Sequence, residues 1–254
     1  VDRSGRRGPL DVLAVWDVVK MPIGTLEHRH PRHAIVIASG GLDSTVLAYW
    51  LAARGAELTL LSFDYGQRHR VELEHAADIA RLLNCPHETI ELAMLGRLLV
   101  GSALTDSNVS VPDGHYTDES MRATVVPNRN AIMLDIAVAV AIVRKADVVA
   151  FGAHAGDHAI YPDCRTEFVE RFTRSARTAN EGLLVDEFEI LAPFLTQSKT
   201  DIVRVGAALG VPFERTWSCY RGEAAHCGTC GTCTERKEAF AQSGIADRTS
   251  YRCA

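Results

Sequence analysis

The chain has 254 residues, of which 47% are hydrophobic and 23% charged, and its formal net charge is −5. That balance suits one globular α/β domain, or a domain with a small appendage, large enough to bury a core without disulfides. It lacks the basic excess with which proteins grip long stretches of nucleic acid, so a small-molecule substrate is favoured and no nucleic-acid partner is assigned.

The chain starts at Val1 with a basic stretch (Arg3, Arg6, Arg7), followed by an apolar run over 10–19 that Asp11 and Asp17 interrupt. That run is too charged for the core of a secretion signal and too short to span a bilayer, so the sequence predicts a cytoplasmic protein with no membrane partner. Residues 1–20 read as an upstream start or an extension, and no function is given to the segment 1–30.

Folded elements begin at 34–38, a short β-branched run suited to a strand buried on both faces. A helix is predicted over 44–54, a second buried strand over 58–63, an amphipathic helix over 71–83 and a third strand over 88–92. Residues 101–124 are rich in Gly, Ser, Asp, Asn and Pro and read as a long loop near the site or a mobile lid. The next helix, 130–145, is apolar on nearly every side, which suits either a core position or a homodimer interface. A strand over 148–152, a helix over 166–179 and a short strand over 188–191 follow. Ser198 and Asp201 then form a capping box that opens a helix to 209. This alternation predicts an open, mostly parallel sheet with helices on both faces. The expected organisation is a nucleotide-binding domain over 31–215 and a small cysteine-rich region over 216–254.

Ser39-Gly40-Gly41-Leu42-Asp43-Ser44-Thr45 joins the first strand to its helix. Glycines let the backbone approach an anion, the helix N-terminus adds partial positive charge, and Ser39, Ser44 and Thr45 add hydroxyl donors. The spacing lacks the lysine of a Walker loop and the G-x-G-x-x-G of a dinucleotide fold. Asp43 serves either to position Mg²⁺ or to lock the loop. Asp64-Tyr65-Gly66-Gln67-Arg68-His69 ends the next strand, at the edge where open α/β sheets bind ligands, or is a plain turn.

Seven cysteines occur, and Cys219, Cys227, Cys230 and Cys233 are spaced C-x7-C-x2-C-x2-C. Four thiolates in tight turns suit one structural zinc per chain, with an iron–sulfur cluster or a redox pair as alternatives. His226 is a spare ligand that the four cysteines make unnecessary. Cys85 and Cys253 read as small structural thiols.

The S-G-G-x-D-S string resembles the PP-loop of ATP-pyrophosphatases. Further strings narrow the likeness: Tyr65 to His69, Val126-Pro127-Asn128-Arg129-Asn130, Gly152 with Asp157, Tyr161-Pro162-Asp163-Cys164-Arg165, and Thr216-Trp217-Ser218-Cys219-Tyr220. In this order and with the four cysteines, the chain from about residue 34 to 251 resembles the 7-cyano-7-deazaguanine synthase family. Its first cysteine interval is a residue shorter than is common there, a change in a loop between ligands.

The resemblance implies adenine-nucleotide-hydrolase architecture and a ligase using 7-carboxy-7-deazaguanine, Mg-ATP and ammonia. The carboxylate is adenylated, ammonia displaces AMP to give the amide, and a second adenylation leads to the nitrile. It implies ATP binding along Ala38, Ser39, Gly40, Gly41, Leu42, Asp43, Ser44, Thr45, Val46, Leu47 and Ala48, and zinc at Cys219, Cys227, Cys230 and Cys233. Arg129 and Lys199 are candidates for phosphate and Asp163 for the guanine-like base, with Arg165 beside them, although each charge also has a structural reading at a helix end. A cation in the first turn of a helix, as at Lys199, opposes the macrodipole unless an anion lies nearby. No catalytic base is identified. A tRNA-modifying relative, a relative in another deazapurine or defence pathway, and a non-catalytic nucleotide-binding module are the competing readings.

Overall fold

Ala34 and Val36 of the first strand pack into one core and Ile35 into another, all fully buried, so the sheet is covered on both faces. A computed structural model describes residues 30–157 and 160–252; residues 1–20 and Cys253 lie outside them. In chain order the elements are β1 (His33–Ile37), α1 (Leu42–Ala53), β2 (Glu57–Asp64), α2 (Glu72–Leu83), β3 (His87–Glu91), α3 (Ala93–Gly96) and α4 (Asp118–Arg122). Then follow α5 (Arg129–Arg144), β4 (Val148–Ala150), α6 (Thr166–Ala179), β5 (Glu189–Leu191), α7 (Lys199–Ala208) and α8 (Gly231–Ser243).

The strands are parallel and ordered β3-β2-β1-β4-β5. The chain winds outward from β1 to β3 and then returns to the other side of β1 for β4 and β5. The reversal between β1 and β4 leaves a crevice at their carboxyl ends, where such sheets bind ligands. The serine–glycine loop leaves β1 there and Gly152 leaves β4 there. One core joins α1, α2 and α7 to the sheet; the other joins α5 and α6 to it. Ala239 and Phe240 of α8 belong to the first of these cores.

Three sequence expectations change. The first helix begins at Leu42, two residues before the expected start, because Gly41 is the extended N-cap (φ −73°, ψ 170°) and the turn is shorter than its glycines suggested. Helix α5 is not buried all round: Met133, Leu134, Ala137, Val138 and Ala141 face the core, whereas Val143 is 83% exposed. Small and β-branched residues on its outer side hid that polarity. Residues 101–124 are not a free lid. Ala103, Leu104 and Val111 are buried without regular spacing, Asp113 bridges Cys230, and Thr117 forms a capping box with Ser120 that opens α4. No helix among the described residues is long and apolar enough to cross a membrane.

Candidate active site and metal centre

The loop after β1 fits only because it contains glycine. Gly40 has φ +77°, and a Cβ there would lie 2.2 Å from the Glu72 carbonyl oxygen and 2.7 Å from the Ala76 nitrogen. The first turn of α2 thus presses on the loop from one side. From the other, the Trp217 N–H donates to the Gly40 carbonyl at 2.9 Å. Within the loop, the Ser39 N–H donates to Ser44 Oγ at 3.2 Å, and the Gly41 N–H donates to Ser39 Oγ at the same distance. Asp43 Oδ1 and Thr45 Oγ1 are buried with no hydrogen-bond partner, so both have capacity for a ligand at the N-terminus of α1.

Lys199 opens α7 and reaches back across 156 residues of sequence to Asp43, donating from Nζ to Oδ2 at 2.6 Å. Its Nζ is also 3.4 Å from Glu235 Oε2, on α8. These two carboxylates are the anions that offset a cation at a helix N-terminus. Burial alone would raise the Asp43 pKa, but Lys199, and then His154, hold it below the usual value. Lys199 is correspondingly pushed up: burial would lower it, and Asp43 and Glu235 override burial. His154 Nδ1 accepts the Gly156 N–H at 3.0 Å, and its Nε2 lies 3.7 Å from Asp157 and 4.0 Å from Glu235.

Two cavities open at the crevice. One, of about 160 Å³, is lined by Ser39, Asp43, Lys199, Trp217, Ser218 and Glu235. The other, of about 220 Å³, has Ile37, Phe63, Phe151 and Gly152 among its lining residues and reaches Arg129. They share a wall of Ser39, Asp43, His69, Glu72, Asp157, Tyr161 and Tyr220. Arg129 donates from Nη1 to the Tyr65 hydroxyl at 3.3 Å. Asp163 lines a separate groove behind Arg129, with Asn128 and Tyr161. Arg165 is exposed at the N-cap of α6 and lines neither cavity, so the sequence groups it with residues that the fold separates.

The segment after β2 builds one side of that wall. Gln67 accepts the Tyr65 N–H at 2.9 Å and donates to the Phe63 carbonyl at 2.9 Å and to Glu72 Oε1 at 3.0 Å. Glu72 Oε2 lies 3.4 Å from His69 Nε2. Burial pushes the Glu72 carboxyl up to about 8, against the pull of the Gln67 hydrogen bond and of Arg129. Burial, then Arg129, take His69 down to about 3. The segment is therefore more than a plain turn.

The four cysteines meet as the spacing predicts. Sγ atoms of Cys219, Cys227, Cys230 and Cys233 all lie within 4.8 Å of one another, and all four residues are buried. Backbone N–H groups of Cys227, Thr229 and Cys230 donate to sulfur at 3.3, 3.4 and 3.3 Å. Cys230 is the N-cap of α8 and Cys233 lies in its first turn, where the helix dipole favours thiolate. This donor set fits a metal ion. His226 is not part of it: its Nε2 accepts the Ser218 N–H at 3.0 Å and its ring packs on Trp217.

Sequence reasoning missed Glu72, His154, Glu235 and Arg236. Arg236 is fully buried and bonds to Thr216 Oγ1 (2.7 Å), Ser218 Oγ (3.1 Å) and the Phe213 carbonyl (2.9 Å), tying α8 to the segment that carries Trp217. Only Glu72 had a local signal, its i,i+3 spacing from His69 into a helix.

A protein-family model described as queuosine biosynthesis protein QueC matches residues 33–244. The 7-cyano-7-deazaguanine synthase of Rhizobium meliloti (strain 1021) is 57% identical over 217 residues, 85% of this chain and 91% of that protein. The 7-cyano-7-deazaguanine synthase 1 of Mesorhizobium japonicum is 55% identical over 219 residues, 86% of this chain and 93% of that protein. Among solved structures, an NMN synthetase from Francisella tularensis aligns with a TM-score of 0.48 at 15% identity, over 95% of this chain and 89% of that one.

Proposed function

The chain belongs to the QueC family of queuosine biosynthesis proteins, and from that premise we propose that it converts 7-carboxy-7-deazaguanine and ammonia to 7-cyano-7-deazaguanine at the expense of ATP. The observation that carries this reading is 57% identity, over 91% of its length, to a relative named for that synthesis. The crevice supplies what the chemistry requires. Residues 39–45 present loop amides, hydroxyls and the N-terminus of α1 to the leaving pyrophosphate, whereas Val46, Leu47 and Ala48 of the expected stretch are fully buried in the core behind it; Lys199 and Arg129 are cations suited to phosphate. The apolar lining of the larger cavity, from Ile37 and Phe63 to Phe151, suits a flat purine. Asp163 lines the adjoining groove, which shares Arg129, Asn130 and Tyr161 with that cavity, and is the carboxylate suited to the amino and ring N–H groups of a deazaguanine that extends into it, whereas the exposed Arg165 has no part in this reading.

Mg²⁺, when bound, neutralises phosphate charge during adenylation, and Asp43 Oδ1, an orphaned buried oxygen, is the ligand on offer. The cysteine ion is read as a structural zinc. One ion about 2.3 Å from each sulfur spaces the sulfurs about 3.8 Å apart, and Cys227 and Cys233 are 3.9 Å apart. A closed set of four sulfurs leaves no position for water. A cytoplasmic setting suits thiols kept unpaired for metal, and the net charge of −5 favours small-molecule substrates over a nucleic-acid partner.

Incubation of the purified protein with 7-carboxy-7-deazaguanine, Mg-ATP and ammonium tests the reading. Mass spectrometry should find the nitrile, with two AMP released per nitrile formed. AMP and amide without nitrile would indicate a relative that stops halfway, and no AMP from a metal-loaded protein would overturn the substrate assignment.

A further inference from the structure

Three carboxyl groups stand in the wall shared by the two cavities: Asp43, Glu72 and Asp157. Asp43 is engaged by Lys199. Asp157 accepts the His154 backbone N–H at 3.0 Å and faces the ring of the same residue. Glu72 differs in being the most buried of the three, its side chain 11% exposed against 21% for Asp43 and 25% for Asp157, with Gln67 on Oε1 and His69 beside Oε2. Gln67 is itself fixed at both ends by backbone, so the carboxyl is held in one position. The turn of α2 that carries it abuts Gly40 of the nucleotide loop. A buried carboxyl with such neighbours keeps its proton up to about 8, while His69 stays neutral. It is a stronger base than an ordinary carboxylate and still about a tenth ionised at neutrality.

Synthesis of a nitrile needs such a group. Ammonia adds to the acyl adenylate through its lone pair. The adduct must lose one N–H proton as the carbon–oxygen bond to AMP breaks and the amide forms. The amide oxygen then attacks the α-phosphorus of a second ATP, expelling pyrophosphate and leaving an O-adenylated amide cation. Two more N–H protons must leave the nitrogen. The first gives the neutral imidate, and the second leaves as AMP departs with the carbon–oxygen bonding pair and the N–H electrons complete the triple bond. Asp43 stays paired with Lys199 beside the phosphates throughout.

We infer that Glu72 is the catalytic base that takes these protons from nitrogen, with Gln67 and His69 as the positioning residues that hold its carboxylate at the junction of the two cavities. The assignment rests on the synthase reading and adds to it the residue for its nitrogen steps. It also gives the hydrogen bonds of Gln67 a purpose, since they hold Glu72 in place.

Glu72→Gln tests it in the full metal-loaded chain, because glutamine keeps the shape and can still accept from Gln67. Acid, amide, nitrile and AMP are followed by mass spectrometry, and the first adenylation by carboxylate-dependent exchange of labelled pyrophosphate into ATP. The variant should form nitrile about 10²-fold more slowly in kcat, with KM for the acid and ATP changed less than about threefold, while adenylated intermediates or amide accumulate. Glu72→Asp, which retains a retracted carboxyl, should recover part of the loss. Nitrile formation by Glu72→Gln at the unmutated rate overturns the proposal. So does an equal loss in pyrophosphate exchange and in nitrile formation by both variants, the mark of a merely structural role. Failure of the synthase reading is seen separately, as absence of nitrile from the unmutated protein.

Discussion

The loop at 39–45 and the cysteine turn at 219–233 each feed a helix N-terminus, α1 and α8, and each offers backbone amides to negative charge. They are assembled differently. The cysteine turn finds its ligands within fifteen residues, and its N–H···S bonds come from Cys227, Thr229 and Cys230 of the same turn. The nucleotide loop depends on distant chain: Glu72 of α2 against Gly40, Trp217 on the Gly40 carbonyl, and Lys199 on Asp43. Two of its supports come from the neighbourhood of the cysteines, since Trp217 lies two residues before Cys219 and Glu235, which holds Lys199, two after Cys233. The loop should therefore depend on the metal centre, and the metal centre should be indifferent to the loop.

Cys230→Ser is the severest way to test that asymmetry. Sites of this kind contribute roughly 10–16 kcal/mol of binding free energy to folding in small domains. The variant should lose most of its metal by elemental analysis, show faster hydrogen exchange over 216–244, and lose ATP turnover with them. Full metal content and an unchanged melting temperature would sink the structural assignment. Asp43→Asn makes the converse cut. It leaves Lys199 with Glu235 as its ion-pair partner and Asp157 farther off and should slow AMP formation by about 10²–10³-fold, while the metal content and the fold stay as they were. Lost metal in that variant would show that dependence runs both ways.

The Glu72–His69 pair sharpens the comparison through pH. Glu72 has its folded pKa raised from 4.5 to about 8, so its contribution to stability is complete below 4.5 and is lost as pH rises to about 8. His69 is lowered from 6.5 to about 3, so its contribution is complete above 6.5 and is lost as pH falls to about 3. The two oppose each other between 4.5 and 6.5, and stability should be flat there, declining by a few kcal/mol on either side. Denaturant melts across this range check it, and Glu72→Gln should remove the alkaline decline. The smallest effect is expected at Val143, 83% exposed on the outer side of α5. Val143→Glu should move stability by less than about 0.5 kcal/mol. A shift of oligomeric state in sedimentation would instead identify that side of α5 as an interface.

Most of the architecture was legible because each strand and helix states its own period. The capping box at Ser198 and Asp201 is formed as its spacing requires, and α6 spans the predicted residues. Positions that failed are those where solvent decided. Val143 has the same apolar side chain as its buried neighbours, and only the sheet determines which of them it covers. Residues 103, 104 and 111 carry no periodicity because irregular chain buries them against a distant segment.

By itself the sequence marked the two candidate sites, since a glycine turn before a helix can cradle an anion and closely spaced thiols can hold a metal wherever the chain puts them. It did not determine what stands around them. Lys199 lies 156 residues from Asp43, and Glu235, His154 and Glu72 reach the crevice from three different elements. Only the reversal of strand order between β1 and β4 and the packing of α8 on α7 bring those charges together. A carboxyl's base strength follows from its burial and its neighbours, and both are properties of the folded chain.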